Sequence, residues 1–221
     1  YWKDRDASMM KFRDLVNLVK PKQKSDEIRL ITNEPKVFYD TAAALLSSNP
    51  PRFRLPLSIN FTPDEKDRMN KAERFILGIF RMLDNRHVVK LGRPYWLREL
   101  AWWILSGWYA VFVCVKKNGK TVDFRADLWD PITIYPEWDG EKLVKCIRVF
   151  EVDRKTARTM LEGFSKKGLE FEYNEPDLEQ VKVTNYWRDE DGDVYNAIAV
   201  NDQVVKKLTH EEQFDSIPIM T

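Results

Sequence analysis

The stretch from Asp127 to Asp153 constrains the fold more than any other part of the chain. Asp130-Pro131 predicts a turn, Ile132 to Tyr135 a short strand, Asp139-Gly140 a tight hairpin turn, and Leu143 to Val152 a long strand. On the long strand Leu143, Ile147 and Val149 alternate with Val144, Cys146, Phe150 and Val152. Apolar side chains therefore point to both faces, and a sheet built on this strand needs cover on each side.

The elements before it are mostly helical. Met9, Phe12, Leu15, Val16 and Val19 mark an amphipathic helix over Asp4 to Lys20, stopped by Pro21. Ile28 to Thr32 suits a short strand, and Asn33-Glu34-Pro35 predicts the cap of a helix carrying Val37, Phe38, Ala42, Leu45 and Leu46. Arg52 to Phe61 is an extended, proline-containing passage. Thr62-Pro-Asp-Glu65 is a capping box that starts a long helix with Met69, Ala72, Phe75, Ile76, Ile79, Phe80 and Leu83 on its stripe. A second helix over Pro94 to Leu105 is expected to pack antiparallel on it. The apolar run Leu100 to Val115 is too short to cross a bilayer and is broken by Ser106-Gly107, so it reads as a buried helix running into a buried strand.

After residue 107 the pattern changes to strands. Trp108 to Lys117 and Lys120 to Asp127, joined by Asn118-Gly119, predict a hairpin whose sheet the Asp127 to Asp153 stretch extends. Asp153 caps a helix reaching Phe164, with Ala157, Met160, Leu161 and Phe164 on one side and Lys166-Lys-Gly168 as its end. Val181 to Arg188, Val194 to Val200 and Val204 to Leu208 form a meander with turns at Asp189 to Asp193 and Asn201-Asp202. The expected fold is α+β, with a mainly helical part over 1–107 and a mainly antiparallel β part over 108–221.

The search for chemistry assigns no catalytic, cofactor-binding or metal-ligating residue. His87 and His210 stand far apart with no cysteine at ligand spacing, and read as helix-end or surface histidines. Phosphate-binding glycine loops are absent from the sequence. Asp189-Glu-Asp-Gly-Asp193 departs from a calcium loop in its glycine position and reads as a solvated hairpin turn. Asp123, Asp127, Asp130, Glu137 and Asp139 are the one carboxylate cluster that could hold magnesium for phosphodiester cleavage. A metal-dependent nuclease fragment using Asp127, Asp130 and Glu137 is accordingly an alternative function.

Lys plus Arg number 36 against 35 Asp plus Glu, a formal charge of +1, so no electrostatic footprint points to sustained nucleic-acid binding. A protein through which DNA slides stays compatible with that balance, because neutralising many phosphates would hold the cargo. Trp96, Trp102, Trp103, Trp108, Trp129, Trp138 and Trp187 could stack bases, but lack a basic groove and read as core or subunit contacts. Arg52, Arg54, Arg93 and Arg98 are candidates for a modest basic patch. Cys114 and Cys146 fall in apolar strands and read as buried reduced thiols, and with no secretory leader the expected setting is a cell interior or a particle assembled there.

Three features in order resemble the wing region of tailed-bacteriophage portal proteins: Ile28-Arg-Leu-Ile-Thr-Asn-Glu-Pro with the helix exit Leu45-Leu-Ser-Ser-Asn-Pro-Pro; Asp130-Pro131 and Tyr135-Pro-Glu-Trp-Asp through Val152; and Val183-Thr-Asn-Tyr-Trp-Arg-Asp-Glu-Asp-Gly with Phe214-Asp-Ser-Ile-Pro-Ile. The resemblance implies a non-enzymatic ring of about twelve copies at one capsid vertex, with a central channel for double-stranded DNA. It implies a virion protein assembled in the host cytoplasm that contacts capsid or scaffold protein through its wing. Terminase and the tail adaptor would dock on the clip, which with the stem and crown is expected to lie outside this chain. No cofactor and no membrane contact is implied. A small head-assembly adaptor, complete in this chain, is the further alternative.

Overall fold

The computed structural model describes residues 2–19, 32–49, 62–119, 121–162 and 179–221. The chain divides into two compact units, Tyr1–Tyr109 with Val113–Leu128, and Ala110–Phe112 with Trp129–Thr221. The outer part of the first hairpin, Val113–Leu128, falls with the helices in the first unit. The expected α+β class holds, with helices leading and antiparallel strands following.

In the first unit the helices are α1 (Trp2–Val16), α2 (Glu34–Ser47), α3 (Pro63–Asn85) and α4 (Trp96–Leu105). Helix α3 starts on its capping box: Thr62 Oγ1 accepts from Glu65 N at 3.3 Å and Thr62 N donates to Glu65 Oε2 at 2.7 Å. Helix α1 ends at Val16, not Lys20. There Leu18 adopts φ 57°, Val19 N donates to Asp14 O at 2.9 Å and Leu18 N to Leu15 O at 3.4 Å, a Schellman ending that turns the chain before Pro21. Asn33 makes no side-chain cap bond on α2, because its backbone is already helical at φ −81°, ψ 0°.

Helix α4 touches α3, its expected partner, but packs more on α2. The Tyr39 ring meets Trp102 edge-on at 5.3 Å, and its hydroxyl bonds Ser106 Oγ at 2.7 Å and the Trp102 carbonyl. The α3 contact runs through Phe80 against Trp96, edge to face at 5.7 Å. Gly107, at φ 99°, turns the chain from α4 into the hairpin of β1 (Ala110–Asn118) and β2 (Thr121–Trp129). Among the described residues no helix is long and apolar enough to cross a membrane.

The second unit is built on a five-stranded antiparallel sheet in the order β3-β4-β5-β6-β7. Its strands are β3 (Ile134–Asp139), β4 (Lys142–Asp153), β5 (Gln180–Glu190), β6 (Asp193–Val200) and β7 (Gln203–His210). The first hairpin does not continue into this sheet as expected. Asp130 Oδ1 accepts from Ile132 N at 3.0 Å and closes a 3-10 turn over Pro131–Thr133, so the extended backbone is interrupted before β3. Strand β1 instead takes a short partner that sequence reasoning missed, β8 (Ile219–Met220), with Phe112 opposite Ile219.

The simple alternation expected of β4 is broken by a bulge. Glu137 pairs with Lys145 but Trp138 pairs with Leu143, so Val144 is the extra residue. Leu143 and Cys146, of opposite parity, consequently share one core with Ala110, Trp129, Ile134, Trp187, Val194, Ile217 and Ile219. Phe112 stacks on Trp129 with centroids 5.0 Å apart, and Trp187 meets Phe214 edge-on at 5.7 Å.

A second core holds Ala157, Val181, Val183, Ile198 and Val200, with Phe150 and Val152 packed against it. Helix α5 (Arg154–Glu162) supplies Ala157. Its first turn is capped by Asp153, whose carboxylate accepts from Thr156 N at 2.8 Å and Thr156 Oγ1 at 2.6 Å. The opposite sheet face, with Tyr135, Ile147, Val149, Tyr186, Ala197 and Ala199, is half-buried. The expected strand at Ile28 to Thr32 (apart from Thr32), the passage Arg52 to Phe61 and the expected helix end at Phe164 to Gly168 lie outside the described residues.

Candidate functional site

The carboxylates that could have formed a magnesium site fall in different units. In the first, Asp123 pairs with Arg125 at 3.3 Å and Asp127 with Arg86 at 3.6 Å. In the second, Asp130 closes the 3-10 turn, Glu137 pairs with Lys145 at 3.0 Å, and Asp139 is exposed in the hairpin turn with Gly140 at φ 62°. Among the described residues no three His, Cys, Asp or Glu side chains form a group that could hold a metal ion. Asp189 is not the solvated turn residue expected. Its side chain is buried, accepting from Gly192 N at 3.1 Å and Lys142 Nζ at 2.6 Å.

A charged cluster lies where α3 meets α4. Helix α3 runs into a π-helical turn, Arg86–Lys90, a form of backbone that recurs at functional sites. The extra residue per turn carries His87 inward to 3% exposure, so it stands at a helix end, as one expectation had it, but is buried and not at the surface. His87 Nδ1 lies 3.5 Å from Glu99 Oε2, while Glu99 Oε1 faces Arg93 Nη1 at 3.4 Å. Arg93 N donates to the His87 carbonyl at 3.0 Å. Burial, ahead of the opposing pull of Glu99, lowers the His87 pKa below its ordinary value. His210 is a surface residue beside Asp193, as read.

The tryptophans mostly pack. Trp96 is buried and donates Nε1 to the Ala126 carbonyl at 2.7 Å, Arg5 lies over Trp2 and Trp108, and Arg13 over Trp103. Trp138 stays 45% exposed. Arg93 is engaged by Glu99, Arg98 is exposed, and Arg52 and Arg54 lie outside the described residues.

Helix α2 is apolar on two sides. Tyr39 and Ala43 are buried, whereas Val37, Phe38, Leu45 and Leu46 are 54%, 78%, 68% and 62% exposed. At helical spacing these four share a broad stripe, roughly 400–500 Å² of apolar surface, the size of the largest patch on a typical monomeric protein. Phe75, on α3, is 69% exposed. The apolar residues Val37, Phe38, Ala42, Leu45 and Leu46 were legible in the sequence of α2, but which side would be packed was not. Comparison with known proteins finds no family model that matches the chain and no matching curated protein.

Proposed function

We propose that this chain is the wing portion of a portal protein, the head-tail connector of a tailed bacteriophage. The observation that carries the reading is the order of the three sequence features: the Asn-Pro-Pro helix exit, the Asp130 to Val152 hairpin, and the Tyr186-Trp-Arg-Asp-Glu-Asp-Gly turn followed by Ile217-Pro-Ile219. In this reading about twelve copies form a closed ring at one capsid vertex, through which double-stranded DNA passes without sequence-specific contact. The wing meets its neighbours and capsid or scaffold protein, and terminase and the tail adaptor bind elsewhere on the full protein.

Two properties support a role in assembly rather than in nucleic-acid chemistry. The apolar stripe of α2 suits a protein contact, and the near-zero charge favours protein association over a phosphate-binding surface. The test is electron microscopy with particle mass of the full natural gene product. Rings with a central hole are expected; a monomer or dimer at high concentration overturns the proposal.

A further inference from the structure

Two rows of side chains cross β4, β5 and β6 on the sheet face turned away from both cores. Ile147 pairs with Tyr186 and Tyr186 with Ala197, while Val149 pairs with Thr184 and Thr184 with Ala199. All six are half-buried, and among the described residues none of them joins either core. Charged residues close both ends of the rows. Lys145 stands opposite Arg188 at one end, and Glu151 opposite Lys182 at the other. The cations there are already paired: Lys145 with Glu137 at 3.0 Å, Lys182 with Asp202 at 3.6 Å, and Arg188 with Glu190. An apolar centre inside a polar rim is the anatomy of a protein contact.

Such a face suits a neutral apolar ridge, and the chain carries one. The α2 stripe of Val37, Phe38, Leu45 and Leu46 holds no charged side chain, and its neighbours Lys36 and Asp40 pair with each other at 2.9 Å. From Val37 to Leu46 the stripe runs about 14 Å, within the width of about 19 Å that five strands provide. Another copy could also join the sheet at an edge, but both edges obstruct strand addition: Pro136 stands in β3, and two register shifts interrupt β7. We propose that the α2 stripe of one copy docks on the Ile147 to Ala199 face of the next, a head-to-tail contact that rests on the ring reading and names its two surfaces. One such contact covers both apolar surfaces, whereas two-fold pairing of either leaves the other bare. Two different surfaces on one chain repeat into a ring when the rotation closes. The stripe and an equal area of sheet together bury roughly 800–1,000 Å², at the lower bound for a specific contact, and each copy in a closed ring makes that contact twice.

In the full protein, Phe38→Glu blocks the stripe and Ala197→Glu blocks the face. Each variant alone should stay monomeric by particle mass at concentrations where the parent forms rings. An equimolar mixture of the two should give a dimer, because one intact stripe then meets one intact face. Rings formed by either variant keep the ring reading and overturn the docking, as does a mixture of folded variants that stays monomeric. Should a glutamate variant not fold, a chain carrying Leu45→Cys with Ala197→Cys decides. The native Cys114 and Cys146 are buried, so a short bis-maleimide should bridge the new pair between copies and give a ladder of multimers on a denaturing gel. Bridges confined to single chains, or no bridge, would overturn the docking. A parent that forms no rings overturns the ring reading by itself, and a ladder from that protein still supports the docking.

Discussion

The carboxylate of Asp84, one residue before the end of α3, accepts a hydrogen bond from the backbone N–H of Trp96 at 2.8 Å and so caps α4 from another helix. Tyr95, the residue at the cap position, offers no side-chain bond of its own. Asp84→Ala is expected to cost about 1 kcal/mol, the usual worth of a helix cap, seen as a fall in melting temperature of about 2–4 °C. Asp84→Asn keeps the acceptor and should lose less. Equal stability of the alanine variant and the parent would remove Asp84 as the cap.

Arg148 bridges the two cores of the second unit. Its guanidinium carbon lies 4.1 Å from the ring centroids of both Trp129 and Phe150. Arg148→Met keeps much of the apolar stem but loses the cation, and should destabilise by about 1–2 kcal/mol. Urea unfolding followed by tryptophan fluorescence measures this, and a stabilised Met variant would contradict it.

Asn196, 1% exposed, is the centre of a buried polar chain in the meander. Its Nδ2 donates to Asn185 Oδ1 at 2.6 Å and the Tyr186 carbonyl at 2.9 Å, and its Oδ1 accepts from Lys206 Nζ at 2.8 Å. Lys206 also pairs with Glu211. Asn196→Leu strips one acceptor from a nearly buried ammonium and should cost about 2–3 kcal/mol. A cycle with Lys206→Met should show coupling of at least about 0.5 kcal/mol; strict additivity would break the network into independent contacts.

Phe38 and Leu45 test the proposed assembly surface. Both are largely exposed, so Phe38→Ser with Leu45→Ser should change monomer stability by no more than about 1 kcal/mol while abolishing the ring formation proposed for the full protein. Rings that persist would take α2 out of the subunit contact.

Burial pushes the Cys146 thiol up to about 12, against an ordinary value of 9.0. The folded state thus favours the neutral thiol, and this contribution to stability is complete below about pH 9 and declines as the pH rises toward 12. A thiol reagent at pH 8 should label Cys146 only at the rate of unfolding. Rapid labelling of the native chain would show that the thiol is accessible.

Much of the fold was local enough to read. The Thr62 to Glu65 box, Asp153 before α5 and the turns at Gly119, Gly140, Gly192 and Asn201-Asp202 are each decided by a few adjacent residues whose side chains or positive φ angles satisfy nearby backbone. The Cys146 thiol is likewise buried and free, as its apolar strand implied. Tertiary structure decided the rest. The bulge at Val144 depends on the register with β3, the β1–β8 pair joins residues about a hundred positions apart, and Asp84 finds Trp96 only once α3 and α4 have met. The burial of His87 was hidden for the same reason. A π turn leaves no mark in a 3.6-residue pattern, and whether its histidine faces water or Glu99 is settled by the helix that packs beside it.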